Sequence, residues 1–198
     1  DIGLTLNGPT GKNSSFILSA RRSYLQFLFQ ALKLPFLPTY NDFQYKHFFE
    51  FGDKDQLTIV GISAIDNFEL NEDVNDGETD QETIDRNNYI LGNIPVSEQW
   101  NYAIGANWKH FSKNSYQNLV VSRNHLNNSA TKYKDNIEDP ELLLLDYASE
   151  EIENKLRIES THMLSGWNWN IGGGLEHVIY KNSTYNVTQI NGEVETID

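Results

Sequence analysis

Apolar and polar residues alternate along four long segments of the chain. In each segment, most residues at every other position are apolar or aromatic. These segments are residues 43–51, 100–109, 152–164 and 167–180. A period of two places alternate side chains on opposite faces of a β-strand, one face apolar and the other hydrated. Weaker alternation predicts further strands at residues 1–7, 14–22, 57–70 and 116–126. The chain is therefore predicted to be all-β, an antiparallel meander of about eight long strands.

The connections between the predicted strands are alternately short and long. Short turns are predicted at residues 7–13, 52–55, 112–114 and 165–166, and long connections at residues 23–39, 71–97 and 127–147. In an antiparallel meander this alternation places the short turns on one edge of the sheet and the long connections on the other. Residues 23–33 have apolar positions at helical spacing, which predicts a short helix that Ser23 caps and Pro35 ends.

Two all-β architectures have strands with this alternation of apolar and polar residues, a transmembrane β-barrel and a soluble sandwich. The apolar positions here are interrupted by Trp, Tyr, Gly and Ala, whereas a sandwich core is built from Val, Ile and Leu. The other positions carry Lys, Glu, Arg and Asn in series, which favours a barrel with a polar interior. The alternative is a secreted carbohydrate-binding sandwich with Trp100, Trp167 and Trp169 as a sugar platform.

The predicted order of the strands indicates an open arc of a larger barrel. Bacterial barrels have short turns on the periplasmic side, so both ends of an eight-stranded meander of this kind would lie outside the cell. That placement does not fit a closed small barrel, and the open edges then require further strands. The chain begins at Asp1 with neither Met nor a signal peptide, so we interpret residues 1–198 as part of a longer protein.

The composition excludes several other classes of protein. The chain has 15 Lys and Arg against 28 Asp and Glu, a net charge of −13, which argues against nucleic-acid binding. No apolar run approaches the ~18 residues of a membrane-spanning helix. Because the chain has no Cys, disulfides, thiolate zinc sites and a cysteine nucleophile are excluded.

The first 70 residues resemble the N-terminal barrel strands of TonB-dependent outer-membrane receptors, most closely the Bacteroidetes type. The resemblance lies in residues 8–22 (GPTGKNSSFILSARR), 23–29 (SYLQFLF), 34–46 (LPFLPTYNDFQYK) and 56–70 (QLTIVGISAIDNFEL). It implies a transmembrane barrel of about 22 strands with a plugged lumen. Residues 1–198 then form a partial barrel domain, without the plug domain and the remaining strands.

The same resemblance implies a function and a location. The family takes up ligands across the bacterial outer membrane, driven by an inner-membrane energy-coupling protein that acts through the plug region. The expected partners are outer-membrane lipid, that coupling protein and an unidentified small ligand, glycan or peptide. No cofactor and no enzymatic activity are expected.

An acidic segment is the candidate binding region. Eight acidic residues and no basic residue lie between positions 69 and 85. The candidate residues are Glu72, Asp73, Asp76, Glu78, Asp80 and Glu82. A helix–loop–helix calcium site is excluded because Val74 would occupy its third ligand position. We predict a mobile extracellular loop that selects ligands together with residues 127–147; an irregular calcium site or a patch for cationic ligands is the alternative.

Catalytic and metal-binding patterns are not found in the sequence. The five His residues lie on separate predicted strands without metal-ligand spacing, although His162 and His177 flank one hairpin and are candidates for neighbours. No nucleophile elbow of the G-x-S-x-G type occurs. In that hairpin we predict a lumenal row and a lipid-facing row. The lumenal row is Glu153, Lys155, Arg157 and Glu159, and the lipid-facing row contains Leu156 and Ile158.

Overall fold

A computed structural model describes the backbone of residues 1–190 and 193–197 and the side chains of residues 1–187. Its strands form one antiparallel sheet in which each strand pairs with the next along the chain, so the predicted all-β meander is confirmed. The strands are β1 Ile2–Gly11, β2 Ser14–Arg22, β3 Phe36–Phe51, β4 Asp55–Leu70, β5 Val96–Ser112, β6 Ser115–Tyr133, β7 Leu143–Leu164, β8 Trp167–Ile190 and β9 Glu193–Ile197. Among the described residues, β1 pairs only with β2, so the sheet is open.

The central strands are much longer than those of most globular proteins. β3 to β8 have between 16 and 24 residues, whereas ~5–6 is typical. β6 and β7 pair continuously along most of their length, including polar stretches such as Asn127 and Asn128 opposite Glu150 and Ser149. The third long connection is therefore only residues 134–142, and the predicted loop at 127–147 is wrong at both ends. Backbone pairing needs no apolar side chains, so a prediction from composition alone made this loop too long.

The short turns lie together on one edge of the sheet. Two of them contain a glycine in the left-handed region, Gly52 with φ 65° and Gly166 with φ 79°. The predicted turns at 52–55, 112–114 and 165–166 are confirmed. The turn predicted at 7–13 is shorter, because β1 continues through a register shift between Pro9 and Gly11.

The first long connection contains the predicted helix, α1, at Leu25–Ala31, but Ser23 does not cap it. Ser23 continues the β2–β3 pairing: its N–H donates to the Tyr40 carbonyl at 2.8 Å, and its Oγ accepts from the Tyr40 N–H at 3.1 Å. The side chain of Ser23 is thus committed to β3, and α1 begins without a side-chain cap.

The second long connection contains a helix that the sequence analysis did not include. It has a short 3-10 helix at Glu72–Asn75 and then α2 at Gln81–Asn93. The edge of the sheet that carries α1, α2 and residues 134–142 is called here the long-loop edge.

The strand register divides the sheet into an apolar face and a polar face. One row across the apolar face is Ala106, Val121, Leu156 and Leu175. The adjacent row on the polar face is Gly105, Ser122, Lys155 and Glu176. The predicted separation of Leu156 and Ile158 from the charged row of β7 onto opposite faces is confirmed.

The sheet has almost no hydrophobic core of its own. Within the described side chains only Val74, Leu91 and Ile152 are buried apolar residues, and the first two belong to the long-loop edge. The apolar face is open, with Leu175 74% exposed and Trp167 79% exposed. In the part of the chain that the structure describes, all strands belong to one sheet, so the two-sheet sandwich architecture is not present there.

Candidate functional site at the long-loop edge

Two of the six candidate acidic residues build the start of α2. Asp80 is its N-cap, and its Oδ2 accepts hydrogen bonds from the Thr83 hydroxyl at 2.6 Å and the Thr83 N–H at 3.1 Å. These bonds lower the pKa of Asp80. Glu78 Oε1 accepts from the N–H groups of Asp80 at 3.1 Å and Thr79 at 2.8 Å, which lowers the pKa of Glu78.

The other four candidate residues also lie at or next to helix ends. Glu72 and Asp73 form the first turn of the 3-10 helix, Asp76 follows its last residue, and Glu82 lies in the first turn of α2. Negative charge at the starts of these helices is favourable because helix N-termini carry unpaired N–H groups, whereas Asp76, at the C-terminal end of the 3-10 helix, lacks this stabilisation. An N-cap Asp followed by an acidic first turn was the sequence signal that could have identified α2.

A small core fixes α2 to the 3-10 helix. Val74 and Leu91 are buried, and Asn87 is 1% exposed. Asn87 Nδ2 donates to Asn75 Oδ1 at 3.0 Å, and Asn75 Nδ2 donates to Asn88 Oδ1 at 2.8 Å. These contacts argue against the mobility that we expected for this segment.

Lys132, near the end of β6, fixes the other end of α2. Its Nζ donates to the Leu91 carbonyl and to Asn136 Oδ1, both at 2.5 Å, and the residue is only 6% exposed. The last turn of α2 contains no basic residue, so Lys132 supplies the positive charge that a helix C-terminus favours. No local sequence pattern marks Lys132, because its partner carbonyl is 41 residues away.

Lys132 also lines a cavity of about 130 Å³. Its polar lining includes Glu72, Lys132, Tyr133, Asn136 and Glu138. At ~30 Å³ for each water, this volume corresponds to a few water molecules. One candidate residue, Glu72, therefore shares a small cavity of mixed charge with a buried cation.

The first two long connections also contact each other. Asn71 Nδ2 donates to the Leu34 carbonyl at 2.8 Å, and the Asn71 N–H donates to the Pro35 carbonyl at 3.1 Å. Lys33 Nζ lies 3.9 Å from Glu78 Oε2. The long-loop edge is therefore a packed surface that presents the acidic residues together with α1.

The geometry gives no support to a metal site. Among the described residues, no group of three or more His, Asp or Glu is arranged to hold a metal ion. His162 and His177 are not neighbours, because His162 lies opposite Trp169 whereas His177 lies opposite Asn154, eight residues further along β7. The His162 ring instead stacks on Trp169, with centroids 4.2 Å apart.

The three Trp residues of the suggested sugar platform share the apolar face but not one location. Trp167 and Trp169 begin β8 beside the short turn. Trp100 lies in the row of Lys181, twelve residues further along β8 than Trp169. The register therefore separates Trp100 from Trp169 by twelve residues along the strand direction.

No protein-family model matches the chain, and no curated protein is detectably similar to it. Neither α1 nor α2 is long and apolar enough to cross a membrane, and the same holds for every helix in the described part of the chain.

Proposed function

We propose that this chain is an arc of the barrel of a TonB-dependent outer-membrane receptor, located in the bacterial outer membrane. The observation that carries the proposal is the exposed apolar face of a single open sheet. Large continuous apolar surfaces are unfavourable in water, and lipid chains cover such a face without a second protein layer. Strand pairing satisfies the backbone polar groups along the sheet, as a bilayer requires.

The positions of the aromatic residues support this orientation in a membrane. Trp108, Trp167 and Trp169 lie near the short-turn edge of the apolar face, and Trp100 and Tyr102 lie nearer the long-loop edge. The eight residue-to-residue steps from Trp100 to Trp108 extend ~27 Å along β5. A strand tilt of ~40° reduces this to about 20 Å across the bilayer, close to the ~25 Å apolar band of outer-membrane barrels.

The open edges of the sheet support an arc of a larger barrel. In the part of the chain that the structure describes, β1 pairs with a strand on one side, and β9 pairs with β8 from Asn186 to Ile190. A bilayer does not accommodate such edges, so we infer that further strands close the barrel.

In this proposal the acidic long-loop edge faces the outside and selects the ligand. Its charge disfavours anionic solutes and favours neutral or cationic ones. Transport depends on an inner-membrane coupling protein acting through a plug domain, as the resemblance of residues 8–70 implies.

Quenching of tryptophan fluorescence tests the membrane placement. All four Trp residues lie on the apolar face, so acyl chains carrying bromine should quench them strongly when the full-length protein is reconstituted in a bilayer. A variant with Phe at these four positions shows how much of the measured fluorescence quenching comes from these Trp residues. Quenching no greater than that of a soluble tryptophan protein mixed with the same vesicles would refute the proposal.

A further inference from the structure

A group of polar side chains interrupts the apolar face on β5 to β8. It is called here the polar cluster and consists of Tyr102, Arg123, His125, Asn154, Glu150 and Lys181. The register places all six on the same face as Leu156 and Trp100.

Hydrogen bonds hold the first half of the polar cluster in place. Arg123 Nε donates to the Tyr102 hydroxyl, and Arg123 Nη1 donates to Asn154 Oδ1, both at 3.0 Å. Nη2 of this guanidinium takes part in neither of these two bonds. Tyr102 and Asn154 therefore orient Arg123 without neutralising its charge.

Glu150 forms hydrogen bonds with the other two side chains of the polar cluster, His125 and Lys181. Its Oε1 accepts from His125 Nε2 at 2.8 Å, and its Oε2 accepts from Lys181 Nζ at 2.7 Å. The side chain of Lys181 is still 67% exposed, so its ammonium has donors left. With one carboxylate and two permanent cations, the polar cluster is net positive, opposite in sign to the chain charge of −13.

The polar cluster lies where the apolar positions of β6 to β8 end toward the long-loop edge. On β6, Leu119 and Val121 are followed on the same face by Arg123. In the next strand Ile158 and Leu156 are followed by Asn154. In the next row toward the long-loop edge, the apolar residues of these three strands are Ile152 and Ile179.

We propose that the polar cluster binds the phosphate group of an anionic lipid headgroup in the outer leaflet. The inference rests on the proposed function, in which Trp100 and Tyr102 mark the outer interface of the membrane. Glu150 and Lys181 lie in the row of Trp100, and Arg123 reaches the Tyr102 hydroxyl from two rows deeper in the sheet. Guanidinium and ammonium groups are the preferred protein donors to phosphate, and lipid covering the adjacent apolar positions brings headgroups to this level. The occupant is thus a membrane lipid and not a soluble ion.

Lipid retention measured by native mass spectrometry tests the inference. The full-length protein is reconstituted with equal amounts of phosphatidylglycerol and phosphatidylcholine, then released and analysed for bound lipid. We expect retention of phosphatidylglycerol, reduced about five-fold by Lys181→Gln and further by Arg123→Gln with Lys181→Gln, since each cation near the surface contributes ~1 kcal/mol. The matched control, Lys155→Gln with Arg157→Gln, removes the same two charge types from the polar face of β7 and should retain phosphatidylglycerol like the unmodified protein.

Two results would contradict the inference. Equal retention in the cluster variants and the control overturns the inference, as does displacement of the lipid by inorganic phosphate at millimolar concentration. Lys181→Gln alone changes an exposed side chain and keeps the test valid if the double variant misfolds. Failure of the unmodified protein to insert into bilayers would instead refute the proposed function.

Discussion

Lys132 of β6 donates a hydrogen bond from Nζ to the carbonyl oxygen of Leu91 in α2, at 2.5 Å. This bond joins a strand end to a helix end across 41 residues of sequence. It orders a segment that, by composition alone, resembles a solvated loop. The acidic surface proposed to select ligands is therefore held at the C-terminal end of α2 by one buried cation, in addition to the small core around Asn87.

Replacing Lys132 should loosen α2. In Lys132→Met the Leu91 carbonyl loses a charged donor, which costs about 1–3 kcal/mol of local stability. Hydrogen exchange across Gln81–Asn93 should become faster, while exchange in β7 and β8 stays unchanged. Lys134→Met, which removes an exposed Lys two residues away, is the matched control. Equal exchange in the two variants would contradict the role of Lys132.

Acid should weaken the start of α2. The hydrogen bonds that lower the pKa values of Asp80 and Glu78 stabilise the folded state above the ordinary carboxyl pKa values, and this contribution is lost as the pH falls through the lowered values. Amide hydrogen exchange in the first turn of α2, corrected for intrinsic rates, should therefore become faster as the pH is lowered from about 5 to about 2.

The variant Asp80→Asn isolates the contribution of this cap. Asn preserves an N-cap acceptor but does not titrate, so the acid-induced change should be smaller than in the unmodified protein. An identical pH dependence in both proteins would show that Asp80 does not contribute.

Charge substitution on β7 should be strongly asymmetric. Leu156 lies on the apolar face and Glu159 on the polar face, three residues apart in the same strand. An Arg at a lipid-facing midplane position costs ~2–4 kcal/mol, whereas lumenal positions are tolerant. Leu156→Arg should therefore reduce the assembled, membrane-inserted fraction far more than Glu159→Arg. Comparable losses in a membrane-fractionation assay would refute the assignment of the faces.

Adjacent glycines in β8 should respond differently to alanine. A Cβ at Gly172 would lie 2.7 Å from the Ile158 carbonyl oxygen of β7, but a Cβ at Gly173 would meet nothing within 4 Å. Gly172→Ala forces the two backbones apart and should lower the thermal unfolding temperature, because backbone atoms cannot move aside as a side chain can. Gly173→Ala is the control and should unfold like the unmodified protein.

The all-β meander and the division into two faces follow from local pattern. Alternation such as that around Leu156 and Lys155 specifies both a strand and its two faces, because the side-chain period of an extended backbone is two. The turn at Gly52 was equally predictable, since glycine is favoured where φ is positive. The short helix α1 followed from apolar residues at helical spacing.

Only the tertiary structure decided which distant groups meet. The Lys132–Leu91 bond and the polar cluster around Arg123 join residues from separate elements, and a one-dimensional pattern does not encode such contacts. The same limit explains why His162 and His177 looked like neighbours: the hairpin brings their strands together, but the register separates them by eight residues along β7. Pairing register and the packing of loop helices depend on the summed contacts of many residues, so they appear only when the whole sheet is assembled.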